Sequence, residues 1–426
     1  MLIQFNFENY KSFRDDTSLD LSATKITEHP YHIANIGEEK LLKLALIYGA
    51  NASGKSNIYD AFKFMSIYVS RSLAFGGTSN SKKKEETMTV RPFVFDEVSK
   101  NEKTIFEVFF IDKSDRHLKT YQYGFAIKGS KICEEWLYSK AKKAHDLNTI
   151  FYRNIEERVL ELDGLGAVAA KSIKAALEEE TLIVSLGAKL RIAKLKPVFN
   201  WFLNNEIADF SDPVEHLWRS NQLPEGFDNE IEVQKKVVEF FHSFDESIIG
   251  FDVEKVVADS DGSERYRVYA KHKMIGSNEI AYIPLQEESK GTLEMFSLFP
   301  FIQNVLSKGS VLFIDELNAK LHPLLVRNII LTFSNPETNP NDAQLLFTTH
   351  DSWQLSNDTL RRDEIWFVQK DEKGVSHLYS LVEFKDEEGV KIRKDENYTR
   401  NYLLGKYGAI PSLRPITLGG DNFEEK

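Results

Sequence analysis

Four short segments hold residues whose types and spacing suit phosphate chemistry. The first is Gly49-Ala50-Asn51-Ala52-Ser53-Gly54-Lys55-Ser56, which fits G-x-x-x-x-G-K-[ST] at every fixed position. Its glycines let the backbone curl so that N–H groups converge on a phosphate chain, and the start of the following helix adds positive potential. Lys55 is expected to reach the β- and γ-phosphates and Ser56 to hold Mg2+, with Asn57 among the nucleotide-binding residues. The second is Val311-Leu-Phe-Ile-Asp315-Glu316, an apolar strand ending in two acids. Asp315 suits the Mg2+ shell, and Glu316 suits the residue that orients or deprotonates an attacking water. The third is Leu345-Leu-Phe-Thr-Thr-His350-Asp351, another strand ending in a residue able to sense a γ-phosphate, His350. The fourth is Glu288-Ser289-Lys290-Gly291-Thr292 at the start of a helix. Ser289 there could simply cap the helix. Placed just before the acidic pair, Ser289 and Gly291 read instead as a site for a phosphate presented by a second molecule.

The flanking sequence supplies elements to position these groups. Leu44–Tyr48 is an apolar strand before the glycine loop, and Asn57–Ser70 repeats Ile58, Ala61, Phe62, Met65 and Tyr68 at helical spacing. Strand-like runs occupy Thr89–Phe95, Thr104–Ile111, Thr120–Ile127 and Ile132–Tyr138, after an alternating start at Leu2–Phe7. Ser79–Glu86 is a charged loop. From Ser139 to Ser247 the pattern turns helical, as in Ala167–Glu180 and Lys235–Phe244. Val253–Ala258 and Arg265–Ala270 then form a hairpin around Asp259-Ser-Asp261-Gly262, and alternating strands and helices return. The expected fold is α/β: a P-loop ATPase head with an antiparallel β subdomain and an inserted α-rich domain. Its parts are residues 1–138, an N-terminal lobe; 139–250, a helical insertion; and 251–426, a C-terminal lobe.

Composition bounds the rest. The 426 residues are 42% hydrophobic and 28% charged, enough for a core of ordinary size. No apolar run is long enough to span a bilayer and no basic, apolar leader opens the chain, so a cytoplasmic protein without membrane contact is expected. Cys133 is the only cysteine and reads as a small buried hydrophobe; disulfides and Cys metal sites within one chain are excluded. The net charge of −11 argues against a dedicated nucleic-acid coat.

The four motifs, in this order, resemble the ABC-type ATPase head of the SMC and RecF proteins. Phe5-Asn-Phe-Glu-Asn-Tyr-Lys11-Ser12-Phe13 is similar to that family's first strand and turn, near the nucleotide base. The resemblance covers about residues 1–135 and 265–426. It implies ATP and Mg2+ as cofactors, hydrolysis by Glu316 with His350 and Lys55, and a head dimer in which Ser289 and Gly291 of one copy contact the ATP of the other. Arg361-Arg-Asp-Glu-Ile-Trp-Phe-Val-Gln-Lys370, Tyr402-Leu-Leu-Gly-Lys-Tyr-Gly-Ala-Ile-Pro411 and Thr181-Leu-Ile-Val-Ser-Leu-Gly-Ala resemble the RloA and AbiL-type bacterial ATPases, with PtuA and AriA as neighbouring relatives. That resemblance implies a role in anti-phage defence through an effector protein from a neighbouring gene. Two departures stand out. Asn318 occupies the loop after the acidic pair, where such heads often carry an acid, and the glutamine that senses Mg2+ has only Gln122 and Gln286 as candidates.

Other readings compete. Asp259 and Asp261 could pair as nuclease ligands, but Ser-Asp-Gly is a strong turn signal. Lys140, Lys142, Lys143, Lys189, Arg191, Lys194 and Lys196 make the insertion basic, which suits a solvated face or contact with DNA or RNA. Trp201 and Phe202 sit at helical spacing and read as core. A RecF-like repair ATPase and an ATP-dependent scaffold with slow turnover are the alternatives to a defence ATPase.

Overall fold

The computed structural model describes residues 1–75, 88–115, 117–141, 146–212, 215, 223–242, 244–256, 265–385 and 389–411. The expected loop Ser79–Glu86, the Asp259–Gly262 turn, Lys142 and Lys143 lie outside these. In chain order the strands are β1 (Leu2–Glu8), β2 (Thr17–Asp20), β3 (Ile33–Ile36), β4 (Glu39–Leu42), β5 (Leu44–Gly49), β6 (Thr104–Ile111), β7 (Thr120–Lys128), β8 (Lys131–Lys140), β9 (Asn148–Asn154), β10 (Val159–Glu161), β11 (Glu206–Asp209), β12 (Ile248–Val256), β13 (Arg265–Lys273), β14 (Ile280–Pro284), β15 (Val311–Asp315), β16 (Gln344–Thr348), β17 (Ile365–Lys370) and β18 (Ser376–Ser380). The helices are α1 (Lys55–Phe75), α2 (Ala167–Ala176), α3 (Ile183–Lys189), α4 (Lys196–Asn204), α5 (Ile231–His242), α6 (Lys290–Lys308), α7 (Pro323–Ser334) and α8 (Tyr398–Leu403).

The central sheet runs β11-β15-β16-β5-β17-β18. Its first five strands are parallel and β18 is antiparallel. Strands buried on both faces read as continuous apolar runs, which is why Leu44–Tyr48 and Val311–Ile314 lack alternation. Successive side chains still point to opposite faces. Ala45 and Ile47 enter one core with Val311, Phe313 and Leu346, beneath α1, α3 and α4. Leu44, Leu46 and Tyr48 enter a second core with Leu312, Ile314, Leu345 and Phe347, against α5, α6, α7 and α8. The first core is closed on its far side by an antiparallel sheet ordered β10-β9-β8-β7-β6-β1-β2. The α/β fold with an antiparallel β subdomain is therefore the one expected.

The span 139–250 departs from the expected helical domain. β9 and β10 extend the antiparallel sheet, and β11 joins the central sheet beside β15. Helices α3 and α4 pack on α1, with Trp201 stacked on Phe110 at 4.5 Å between ring centroids. Helical periodicity located α2, α4 and α5, but the short strands between them acquire their character only from pairing partners far along the chain. Thr89–Phe95, expected as a strand, forms none. Lys11 N–H donates to the Arg91 carbonyl, Val90 N–H to Gly129, and Phe93 N–H to the Asn9 side chain, so this segment is tied at single points rather than laddered. Cys133 on β8 is half-buried, not buried.

The C-terminal motifs are built into the scaffold. Arg361 is fully buried, paired with Asp363 at 2.8 Å, and Asp363 also accepts from Thr24. His32 contacts buried Glu364 at 2.9 Å. These bonds clamp residues 24–32 to the start of β17. Tyr402 and Tyr407 pack on Phe367 of the same strand.

Candidate nucleotide site

The glycine loop leaves the C-terminal end of β5 and enters α1 at Lys55. A side chain at Gly49 would stand 2.5 Å from the Val368 carbonyl, and one at Gly54 would stand 2.6 Å from Ser376 Oγ. Gly54 also has φ of +114°, a conformation that costs most residues dearly. The loop rests on two serines from distant segments. Ser376 Oγ donates to the Ser53 carbonyl and contacts Ser12 Oγ at 2.8 Å, while Asn57 Nδ2 donates to Ser12 Oγ at 2.7 Å. Asn57 thus braces the loop from behind. Ser53 Oγ is buried without a hydrogen-bond partner, as expected of a loop shaped for something else to fill it.

Lys55 is buried and donates to the Gly49 and Ala50 carbonyls, at 2.8 and 3.2 Å. Burial holds its ammonium below the ordinary lysine range, against the opposing pull of Glu316 and Asp315. Parallel pairing of β5, β16 and β15 brings the ends of those strands to Lys55. Asp315 is buried, and burial pushes its carboxyl up to about 6 despite hydrogen bonds from Thr348 and Ser56. The charges of Asp209 and Glu316 push the same way. Asp209 ends β11, opposite Asp315 in register. Glu316 has φ of +54°, a backbone state costing a non-glycine residue about 1–3 kcal/mol. Its N–H donates to Thr348 Oγ1 at 2.9 Å, and its carboxylate lies 2.8 Å from His350 Nδ1. The glycine loop, Asp315, Glu316 and His350 are thus gathered at one end of the central sheet.

Ser289 and Gly291 are not part of this cluster. Ser289 caps α6, accepting from Thr292 N–H at 3.1 Å, so capping does occur here. Among the described residues, no hydrogen bond or ion pair links either residue to the glycine loop. A side chain at Gly291 would meet nothing nearer than Ser289 Oγ at 3.8 Å, so the backbone there is open to approach. Gln122 is spent on Glu107 within the antiparallel sheet, and Gln286 is exposed.

The spacing of the motifs does not reveal Ser376, Thr348 or Asp209. Thr348 had a signal, a hydroxyl at the end of a buried strand. Ser376 and Asp209 had none, because their relevance depends on which strands pair. Among the described residues no group of three or more His, Cys, Asp or Glu could hold a metal ion by itself. No helix among them is long and apolar enough to cross a membrane.

A parallel sheet carrying a phosphate loop, with an acidic pair on a strand two places away, defines a P-loop ATPase. The chain belongs to the family described as “AAA domain, putative AbiEii toxin, Type IV TA system”, whose model matches residues 44–162 and 171–352. Solved structures similar to it include an Smc head bound to the C-winged helix domain of ScpA, at 13% identity and a TM-score of 0.39, covering 89% of this chain and 97% of that one. Another is an Smc head domain with an extended coiled coil, bound to the C-terminal domain of ScpA derived from Pyrococcus furiosus. It is 15% identical with a TM-score of 0.40, covering 89% of this chain and 96% of that one. No curated protein matches the chain.

Proposed function

We propose that this chain is an ABC-type ATPase whose hydrolytic site is completed by a second head. In this reading the N–H groups of Gly49–Ser56 bind the phosphates of ATP, and Lys55 leaves the Gly49 and Ala50 carbonyls to neutralise them. Ser56 and Asp315 would hold Mg2+. A cation beside Asp315 would favour its ionised form and so offset the burial that pushes its carboxyl up to about 6. Two protein ligands suffice when phosphate oxygens and water supply the rest, as is usual for Mg2+. Glu316 orients and deprotonates the attacking water, and His350 contacts the γ-phosphate. What supports the shared site is that no hydrogen bond or ion pair among the described residues ties Ser289 or Gly291 to the glycine loop, combined with the open backbone at Gly291. A helix N-terminus free on its outer side is suited to a phosphate held by another copy.

The family description, which names a putative AbiEii toxin and a Type IV TA system, supports a cellular reading in defence alongside the resemblance of the C-terminal segments to RloA and AbiL-type ATPases. We infer a cytoplasmic ATPase that controls a partner effector in anti-phage defence, with ATP-driven head association as the switch.

The test uses three variants. Glu316→Gln should retain ATP binding and lose turnover by about 100-fold or more. Ser289→Arg should bind ATP normally and hydrolyse little. Mixing Ser289→Arg with Lys55→Ala protein should restore partial hydrolysis, since one site of the mixed dimer is then intact. Unaltered turnover by Ser289→Arg alone would return Ser289 to a helix cap and remove the shared site.

A further inference from the structure

Asn318 stands in the loop after the acidic pair, between two residues that follow β16. Thr349 is fully buried, and its Oγ1 accepts from Asp351 N–H at 3.0 Å. Its own proton needs an acceptor, and Asn318 Oδ1 lies 2.7 Å away. That contact sets the amide: the oxygen faces Thr349 and the NH2 faces His350 Nε2, at 3.2 Å. An NH2 group only donates, so Nε2 must present its lone pair. The single proton of a neutral imidazole is then on Nδ1, which donates to Glu316 across 2.8 Å.

We propose that Asn318 is a positioning residue that sets His350 in the Nδ1–H tautomer and so ties the histidine to Glu316. This deepens the ATPase reading and rests on it for its consequence. With its proton directed at Glu316, His350 has no N–H at Nε2 to offer a phosphate oxygen. The loop 317–320 has to shift, or the ring has to turn, before the histidine donates to phosphate. An acid at position 318 would instead accept from Nε2–H, so Nε2 would carry a proton whether or not Nδ1 keeps its own.

The experiment is NMR of the full chain with 15N-labelled histidine, free of nucleotide and above the ordinary histidine pKa of about 6.5. His350→Gln identifies the signals of this ring among the ten histidines. The wild-type ring should show the Nδ1–H pattern with a bare Nε2, Asn318→Ala a mixture, and Asn318→Asp a protonated Nε2. Asn318→Asp should also alter kcat for ATP severalfold with KM and Tm little changed. An Nε2–H pattern in the wild type, one pattern across all three proteins, or an unchanged kcat in Asn318→Asp overturns the proposal. The spectra need no turnover: expected tautomers in a wild type that fails to hydrolyse ATP would sink the ATPase reading and leave the tautomer assignment standing.

Discussion

Lys320 Nζ lies 3.5 Å from the carboxylate of Glu294, so the helix that begins at Ser289 is joined by an ion pair to the loop that follows Glu316. Glu294 is completely buried on α6, while the Lys320 side chain keeps 30% of its exposure. A buried carboxylate weakens a fold when a compensating charge is removed, and partial exposure of the lysine limits the loss. Lys320→Met should therefore cost about 1–3 kcal/mol of stability. If α6 carries a shared site, the same change should reduce the yield of ATP-dependent crosslinking through position 289, because α6 loses a tie to the loop after Glu316. Denaturant unfolding and crosslinking with and without Mg-ATP check both effects; wild-type values in both would remove any role for the pair.

Gly54→Ala tests the geometry of the phosphate loop. The added methyl would stand 2.6 Å from Ser376 Oγ and 2.7 Å from Ser12 Oγ, at a φ of +114°. The loop must shift to admit it, and converging N–H groups tolerate little displacement. The Kd for a fluorescent ATP analogue should rise at least about tenfold, or about 1.4 kcal/mol. Wild-type affinity in this variant would show that Gly49–Ser56 is not the phosphate cradle.

Glu135 supplies a pH dependence. It lies fully buried on β8 and accepts from Ile183 N–H at 2.7 Å, Val184 N–H at 3.2 Å and the Tyr123 hydroxyl at 3.1 Å. Burial outweighs these donors and pushes its carboxyl up to about 7 from an ordinary value of 4.5. Between those values the folded chain binds the extra proton and the unfolded chain does not. Stability from this group is therefore greatest below 4.5 and is lost as pH rises to about 7, by about 3 kcal/mol in all. Glu135→Gln removes the titration, so the unfolding free energy of wild type relative to this variant should be higher at the acid end of that window than above it. A constant difference across the window counts against a raised carboxyl.

Chemistry written in consecutive residues is legible in the sequence alone. Gly49–Ser56, Asp315-Glu316 and His350 are each a strand end plus its turn, and a local pattern of apolar run, glycine and charge is enough to specify such a joint. β5, β15, β16 and α1 were legible for the same reason: strands buried on both faces and an amphipathic helix carry strong local signals. What the chain pattern could not decide was pairing. Ser12 meets Ser376 and Asp209 meets the Asp315 strand only because particular strands lie side by side, and hydrogen-bonded register is a property of two segments at once. The strands β9, β10 and β11 were hidden within a helical pattern because a strand of three to seven residues is stabilised by its neighbours more than by its own composition. Asn318 was conspicuous in the sequence as a neutral residue in an expected acidic place. Its consequence for His350 emerged only from tertiary structure, because a tautomer is set by which donor and acceptor are brought within hydrogen-bond distance, here across 32 positions of chain.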